Sequence, residues 1–152
     1  MNQPTLRPAP AYDHYEVARD FQPDGISQEI VVPKWFRYDG ASIPAAAWQL
    51  TYTPYHPDVM TASVVHDWLY YNHQVERDVA DDLFYDILRA NGVGTLIAST
   101  MWGAVKSFGG LFWDNDDADV QYLVSLCARL RGRPNFDRYR FPPEISALCP
   151  PG

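Results

Sequence analysis

Residues 64–88, VVHDWLYYNHQVERDVADDLFYDIL, constrain this chain more than any other stretch. Ala62, Val65, His66 and Leu69 recur at the i, i+3, i+4, i+7 spacing of an amphipathic helix, which puts His66 on the mainly apolar face. That helix is expected to start near Asp58 or Thr61, either of which can cap it, and to end near Asn72. Ala80, Leu83, Phe84, Ile87 and Leu88 mark a second helix over 76–90, with Asp81 at the edge of its buried stripe. Asp82 and Asp86 lie further round, toward water. The link between the helices is short and polar, so they should fold back on each other. His66 and Asp67 then meet Asp81, and the one sizeable cluster of histidine and carboxylate is gathered in one place.

The flanking segments set the fold class. Residues 1–10 carry three prolines and read as an extended arm. Residues 12–21 and 26–32 read as the strands of a hairpin around the turn signal Gln22-Pro-Asp-Gly25. A further short strand from Trp35 runs into the tight loop Asp39-Gly-Ala-Ser-Ile-Pro44, which can present Asp39 and Ser42 to a pocket. On composition alone both could equally make local turn bonds. Residues 45–50 read as a short helix and 51–57 as irregular. Residues 96–108, apolar or small on every side, read as a central helix. A last helix opens in the acidic run from Asp114 and reaches Arg131. The expectation is an α+β fold, a small N-terminal antiparallel sheet packed on a bundle of about four helices. Residues 12–132 form the domain, after an arm over 1–11 and before a Pro- and aromatic-rich tail over 133–152.

Composition removes several function classes. With 47% hydrophobic residues the chain can fill a core, so wholesale disorder is excluded. A net charge of −7 argues against sequence-independent binding of nucleic acid, which needs a basic surface to release counterions. Arg129, Arg131, Arg133, Arg138 and Arg140 are interleaved with aromatics and read as a solvated helix end. Residues 96–113 are too broken by Lys106 and small residues to span a membrane. The N-terminus has no apolar signal region, so no signal peptide is visible and a soluble, initially cytoplasmic protein is expected. Cys127 and Cys149 share no metal or redox spacing and read as two free thiols in a reducing compartment, with a structural disulfide as the alternative.

The polar residues allow three chemistries. Asp81 could hold the His66 imidazole in one tautomer and leave the other nitrogen as general base. Asp67 and His66, with Asp39 from the loop, could ligate a divalent metal. Or His66 and Asp81 could be a buried hydrogen-bonded pair that locks the hairpin. Ser42 is a further candidate for nucleophile or substrate contact. His56 and His73 read as surface histidines. The run from Asp114 to Asp119 fails as a calcium loop, since Asp119 stands where glycine is required and Ser125 where glutamate is; it reads as a helix cap.

Two resemblances attach to these residues. His66-Asp67-x-x-Tyr70 is similar to the catalytic helix of phospholipases A2, in which the histidine is the base, the adjacent aspartate binds calcium and a facing aspartate orients the histidine. Here Leu69 replaces the cysteine, and the glycine-rich calcium loop is missing. More broadly, Val32-Pro-x-x-Phe36-x-x-Asp39-Gly-Ala-Ser42-Ile-Pro44, Val65-His66-Asp67-Trp-Leu-Tyr70, Ala80-Asp81-x-x-Phe84 and Phe108-Gly109 resemble the phage and prophage family called domain of unknown function 1353. That resemblance implies a viral or prophage origin, and its motifs fall on Asp39, Ser42, His66, Asp67 and Asp81. The expectation is therefore a phage-encoded, virion-associated protein with a hydrolase-like pocket, its partners being other virion proteins. His66, Asp81 and Ser42 would be catalytic, with Asp67, Asp39 and His66 around a metal. A cell-envelope ester, amide or glycan is the substrate class. The alternative is a non-catalytic structural or adaptor protein of the phage tail or neck, favoured by the Pro-rich ends and many Trp and Tyr residues.

Overall fold

The structure, a computed structural model, describes residues 1–9, 14–40, 42–50, 53 and 55–149. The chain is α+β. Strands β1 (Leu6–Ala9), β2 (His14–Val17) and β3 (Arg37–Tyr38) form an antiparallel sheet in the order β1-β2-β3. Helices α1 (Ala45–Leu50), α2 (Pro57–Asn72), α3 (Arg77–Ala90) and α4 (Thr95–Phe108) follow, then the short α5 (Gly110–Trp113), α6 (Asp117–Leu130) and α7 (Pro143–Leu148). The four long helices are the expected bundle. The start of the expected first strand at Tyr12, residues 51, 52 and 54 of the irregular stretch, and the tail's last residues 150–152 lie outside the described residues.

The sheet is paired differently from the expected hairpin. Gly25 does turn the chain, at φ +75°, but the segments either side touch through the single bridge Phe21–Val32. The hydrogen bonds of β2 are already taken by β1 on one edge and β3 on the other. Part of the N-terminal arm is thus a strand. It is extended because its prolines favour that backbone and it sits at an edge, where a missing N–H costs no ladder bond.

The bundle is organised around α2, not α4. Twelve of the sixteen residues of α2 are buried, on every side of the helix. Such a helix needs neighbours all round. Phe36 packs edge-on against Trp68 from the sheet side, with ring centroids 5.2 Å apart, and Phe141 of the tail reaches the same indole at 5.7 Å. In α4, by contrast, only Ala98, Met101 and Val105 are buried, and Leu96 is 81% exposed. The small residues that made α4 look central leave its outer face shallow, with nothing described against it.

Capping also departs from expectation. His56 caps α2 through Nδ1, which accepts from Asp58 N at 3.2 Å, with Pro57 in the first turn where its missing N–H is harmless. His73 closes the same helix in the left-handed region, at φ +54°, and stacks on Trp113 with ring centroids 3.9 Å apart. Neither is a plain surface histidine. Asp116 and Asp119 form a reciprocal capping box on α6, as the acidic run requires.

The tail packs on its own domain. Asp20 accepts from Tyr139 OH at 2.8 Å and from Arg133 at 3.3 Å, and Arg138 bonds the same carboxylate. Arg129 lies over the Trp35 ring at 4.3 Å and Arg131 over Phe136 at 5.0 Å. The arginines expected at a solvated helix end are staples between the tail, α6 and the N-terminal loops.

Candidate functional site

Three elements meet at the site: the loop after β3, the middle of α2 and the second turn of α3. Gly40 sits at φ +75°, a backbone that favours glycine, and turns the loop back onto α2. Its N–H donates to Asp67 Oδ2 at 3.0 Å, and the Ser42 N–H donates to Asp67 Oδ1 at 3.1 Å. A carboxylate on α2 therefore holds the loop by its backbone. The Ser42 hydroxyl bonds the same carboxylate and lies 2.9 Å from His66 Nδ1. On its far side, His66 Nε2 is 2.8 Å from Asp81 Oδ1 on α3. Tyr70 OH donates to that same oxygen at 2.7 Å.

The result is one linear run, Asp67–Ser42–His66–Asp81, closed by Tyr70. His66, Asp67 and Asp81 are buried; Ser42 is 7% exposed and lines a cavity of about 220 Å³. The cavity wall also includes Tyr70, Leu111, Phe112, Asp114 and Asp119.

The run has three links, and each needs one proton between its heavy atoms. Three protons on these four side chains leave a net charge of −1, wherever the protons sit. Burial decides their placement. It raises the Asp67 carboxyl from 3.8 to about 7, against the lowering effect of its bonds to Ser42 and Gly40. It also lowers His66 below 6.5, against the pull of Asp81. Both shifts disfavour charge on these two groups. The arrangement that satisfies both is a protonated Asp67 donating to Ser42, Ser42 donating to Nδ1, and Nε2–H donating to an Asp81 carboxylate. Asp81 Oδ1 then accepts twice, and among the described residues Asp81 Oδ2 has no partner.

His66, Asp67, Asp81 and Ser42 are thus brought together as expected. The expected metal set is not assembled. Among the described residues no three His, Cys, Asp or Glu side chains come together to hold an ion. Both His66 nitrogens and both Asp67 oxygens face protein partners. Asp39 is exposed beside the loop and acts on Asp67 through space, adding to the rise in its pKa.

Sequence reasoning gave no role to Tyr70, although it stands one turn after His66 on the same face, and the rings lie 4.2 Å apart. Gly109, which appeared in the sequence only within the Phe108-Gly109 motif and as a helix stop, makes the contact of Tyr70 with Asp81 possible. A Cβ there would overlap the Tyr70 hydroxyl and the Val105 carbonyl oxygen, so the start of α5 leaves room for the tyrosine that bonds Asp81.

Fold and site together define an α+β domain built round a buried serine–histidine–aspartate hydrogen-bond run. The chain belongs to the family described as protein of unknown function (DUF1353), whose model matches residues 15–105. That stretch covers β2, the loop, α2, α3 and most of α4, and so every residue of the run. The uncharacterized protein y4jT of Sinorhizobium fredii (strain NBRC 101917 / NGR234) is similar, with 36% identity over 100 residues, 62% of this chain and 29% of that protein. The chain thus spans less than a third of that relative's length. No solved structure matches it.

Proposed function

We propose that this is a phage- or prophage-encoded, virion-associated protein whose cavity over Ser42 is a hydrolase-like site, with Ser42 as nucleophile. The observation that carries the reading is the continuous contact Ser42 Oγ–His66 Nδ1–Asp81, with its serine end on a cavity wall. In that arrangement His66 Nδ1 takes the hydroxyl proton as Oγ attacks a carbonyl carbon. Asp81 fixes the tautomer by holding Nε2–H. The protonated form of Asp67 serves this step, because it donates to Ser42 and turns the serine proton toward His66. Such chemistry is acyl transfer, which suits an ester or amide of the cell envelope better than a glycan. Phage origin rests on the four-motif resemblance alone.

Labelling tests it. The purified chain should react with a fluorophosphonate and hydrolyse activated short-chain esters, and Ser42→Ala should abolish both. A wild type that does not label, or a Ser42→Ala variant that labels equally, sinks the catalytic reading.

A specific observation favours a second reading, a non-catalytic adaptor of the tail or neck. His66 does not reach the cavity, while Phe108 and Leu111, the latter 80% exposed, present apolar surface where α4 meets α5. Exposed apolar patches mark interaction surfaces. On that reading the buried run is a lock, and Ser42→Ala changes stability but not infectivity.

A further inference from the structure

We propose that the groove between α3 and α4 is a docking site for an arginine side chain of a partner protein. The groove holds about 520 Å³ and is walled by Asp82, Tyr85 and Asp86 of α3 and by Ser99, Trp102 and Gly103 of α4. It shares no lining residue with the cavity over Ser42.

Gly103 is the first pointer. Glycine is the poorest helix former after proline, yet here it sits in the interior of α4. A glycine in a helix is ordinarily kept where a neighbour comes too close for a Cβ, as the Tyr70 hydroxyl does at Gly109. At Gly103 a Cβ would meet no neighbouring atom within 4 Å. Packing within the fold therefore does not require the missing side chain. Its absence instead leaves the groove open beside Trp102, whose indole is 36% exposed.

Aromatic surface and charge together select the occupant. The rings of Tyr85 and Trp102 lie 6.3 Å apart with their planes at 66°, and Trp102 Nε1–H donates to Asp82 Oδ1 at 3.1 Å, which fixes the indole. Asp78, Asp82 and Asp86 follow one another every fourth residue on one face of α3, where like charges repel. Lys106 answers the first two: its Nζ lies 3.5 Å from Asp78 and 3.1 Å from Asp82, and 5.4 Å from the Trp102 ring centroid. The fold itself thus uses this indole and these carboxylates to hold a cation. Asp86 lines the groove and has no ion-pair partner among the described residues. An anionic side chain is repelled here and a cationic one is the complement. Between the two common cations, the aromatic walls favour guanidinium. It is planar and weakly hydrated, and it stacks on a ring while its N–H groups reach a carboxylate; an ammonium is compact and strongly hydrated. Ser99 and Gly103 leave room for the methylene stem.

The test is a titration of the isotopically labelled full chain, followed by its amide and indole signals. The probes are three end-blocked tripeptides with glycine on either side of arginine, of its neutral isostere citrulline, or of lysine. The arginine peptide should move the Trp102 indole N–H and the backbone of 82–86 and 99–103, and bind about fivefold more tightly than the other two. Gly103→Leu, whose side chain fills the groove, should abolish those shifts while raising Tm, because leucine is the better helix former. Asp86→Asn, at an exposed position, should fold normally and weaken arginine binding by about fivefold. Equal binding of the citrulline or lysine peptide, shifts centred elsewhere, binding unchanged in Gly103→Leu, or no shift at millimolar peptide would overturn the proposal. Ser42→Ala should bind the arginine peptide as wild type does.

Discussion

Asp67 and His66 sit side by side on α2, and burial moves them in opposite directions on the pH scale. In the fold Asp67 holds its proton up to about pH 7, against 3.8 ordinarily. Its contribution to stability is therefore complete below about pH 4 and is lost as pH rises to 7. His66 is lowered from 6.5, so its contribution is present above that value and lost as pH falls through the folded pKa. Asp67→Asn removes only the first effect. The stability of wild type relative to Asp67→Asn should fall steadily between pH 4 and 7 in denaturant titrations; a flat difference would show that Asp67 carries no proton there. His66→Ala has a different signature. It leaves Asp81 buried with Tyr70 as its remaining donor, and should cost about 3–5 kcal/mol, or roughly 10 °C in Tm. A loss under about 1 kcal/mol would mean that water enters and solvates the carboxylate.

Among the elements, α2 matters most, and the approach of α5 to it is the tightest constraint. Gly109→Ala should push Tyr70 off Asp81, because the new methyl group has a backbone carbonyl on one side and the tyrosine hydroxyl on the other. A loss of about 1–3 kcal/mol is expected. Adding Tyr70→Phe should remove part of the clash, so that the double variant is more stable than the two single losses would sum to. Strict additivity would place the conflict elsewhere. The hairpin of α2 and α3 was legible because its apolar spacing is regular and its linker short. The roles of α2 and α4 were not. Hydropathy records which residues are small or apolar, but α4 lies at the margin while polar Thr61, Ser63, His66, Asp67 and Asn72 are buried in α2. Thr61 finds Gln3 at 2.8 Å and Asn72 finds the tail, partners far away in the chain.

At the scale of the molecule, the tail and the N-terminal loops clasp the bundle, and Asp20 is the point where they join. Burial, with Cys149 as neighbour, pushes the Cys127 thiol up to about 12, and both thiols are buried and outside any disulfide. The native chain should therefore react slowly with a thiol reagent, while Asp20→Ala should loosen the tail and speed the reaction several-fold before global unfolding. No acceleration would mean that the tail is held without Asp20. By itself the sequence determined the α+β class, the helical hairpin, the acidic cap of α6 and the meeting of His66 with Asp81. All of these follow from local periodicity and short links. Only the tertiary structure decided the rest: which strands pair, that Asp67 grips the loop by its backbone, that Tyr70 completes the run and that Cys127 meets Cys149. Those contacts join residues up to 27 positions apart, and each is chosen by which donor remains unsatisfied once the core has packed. No local pattern records that choice.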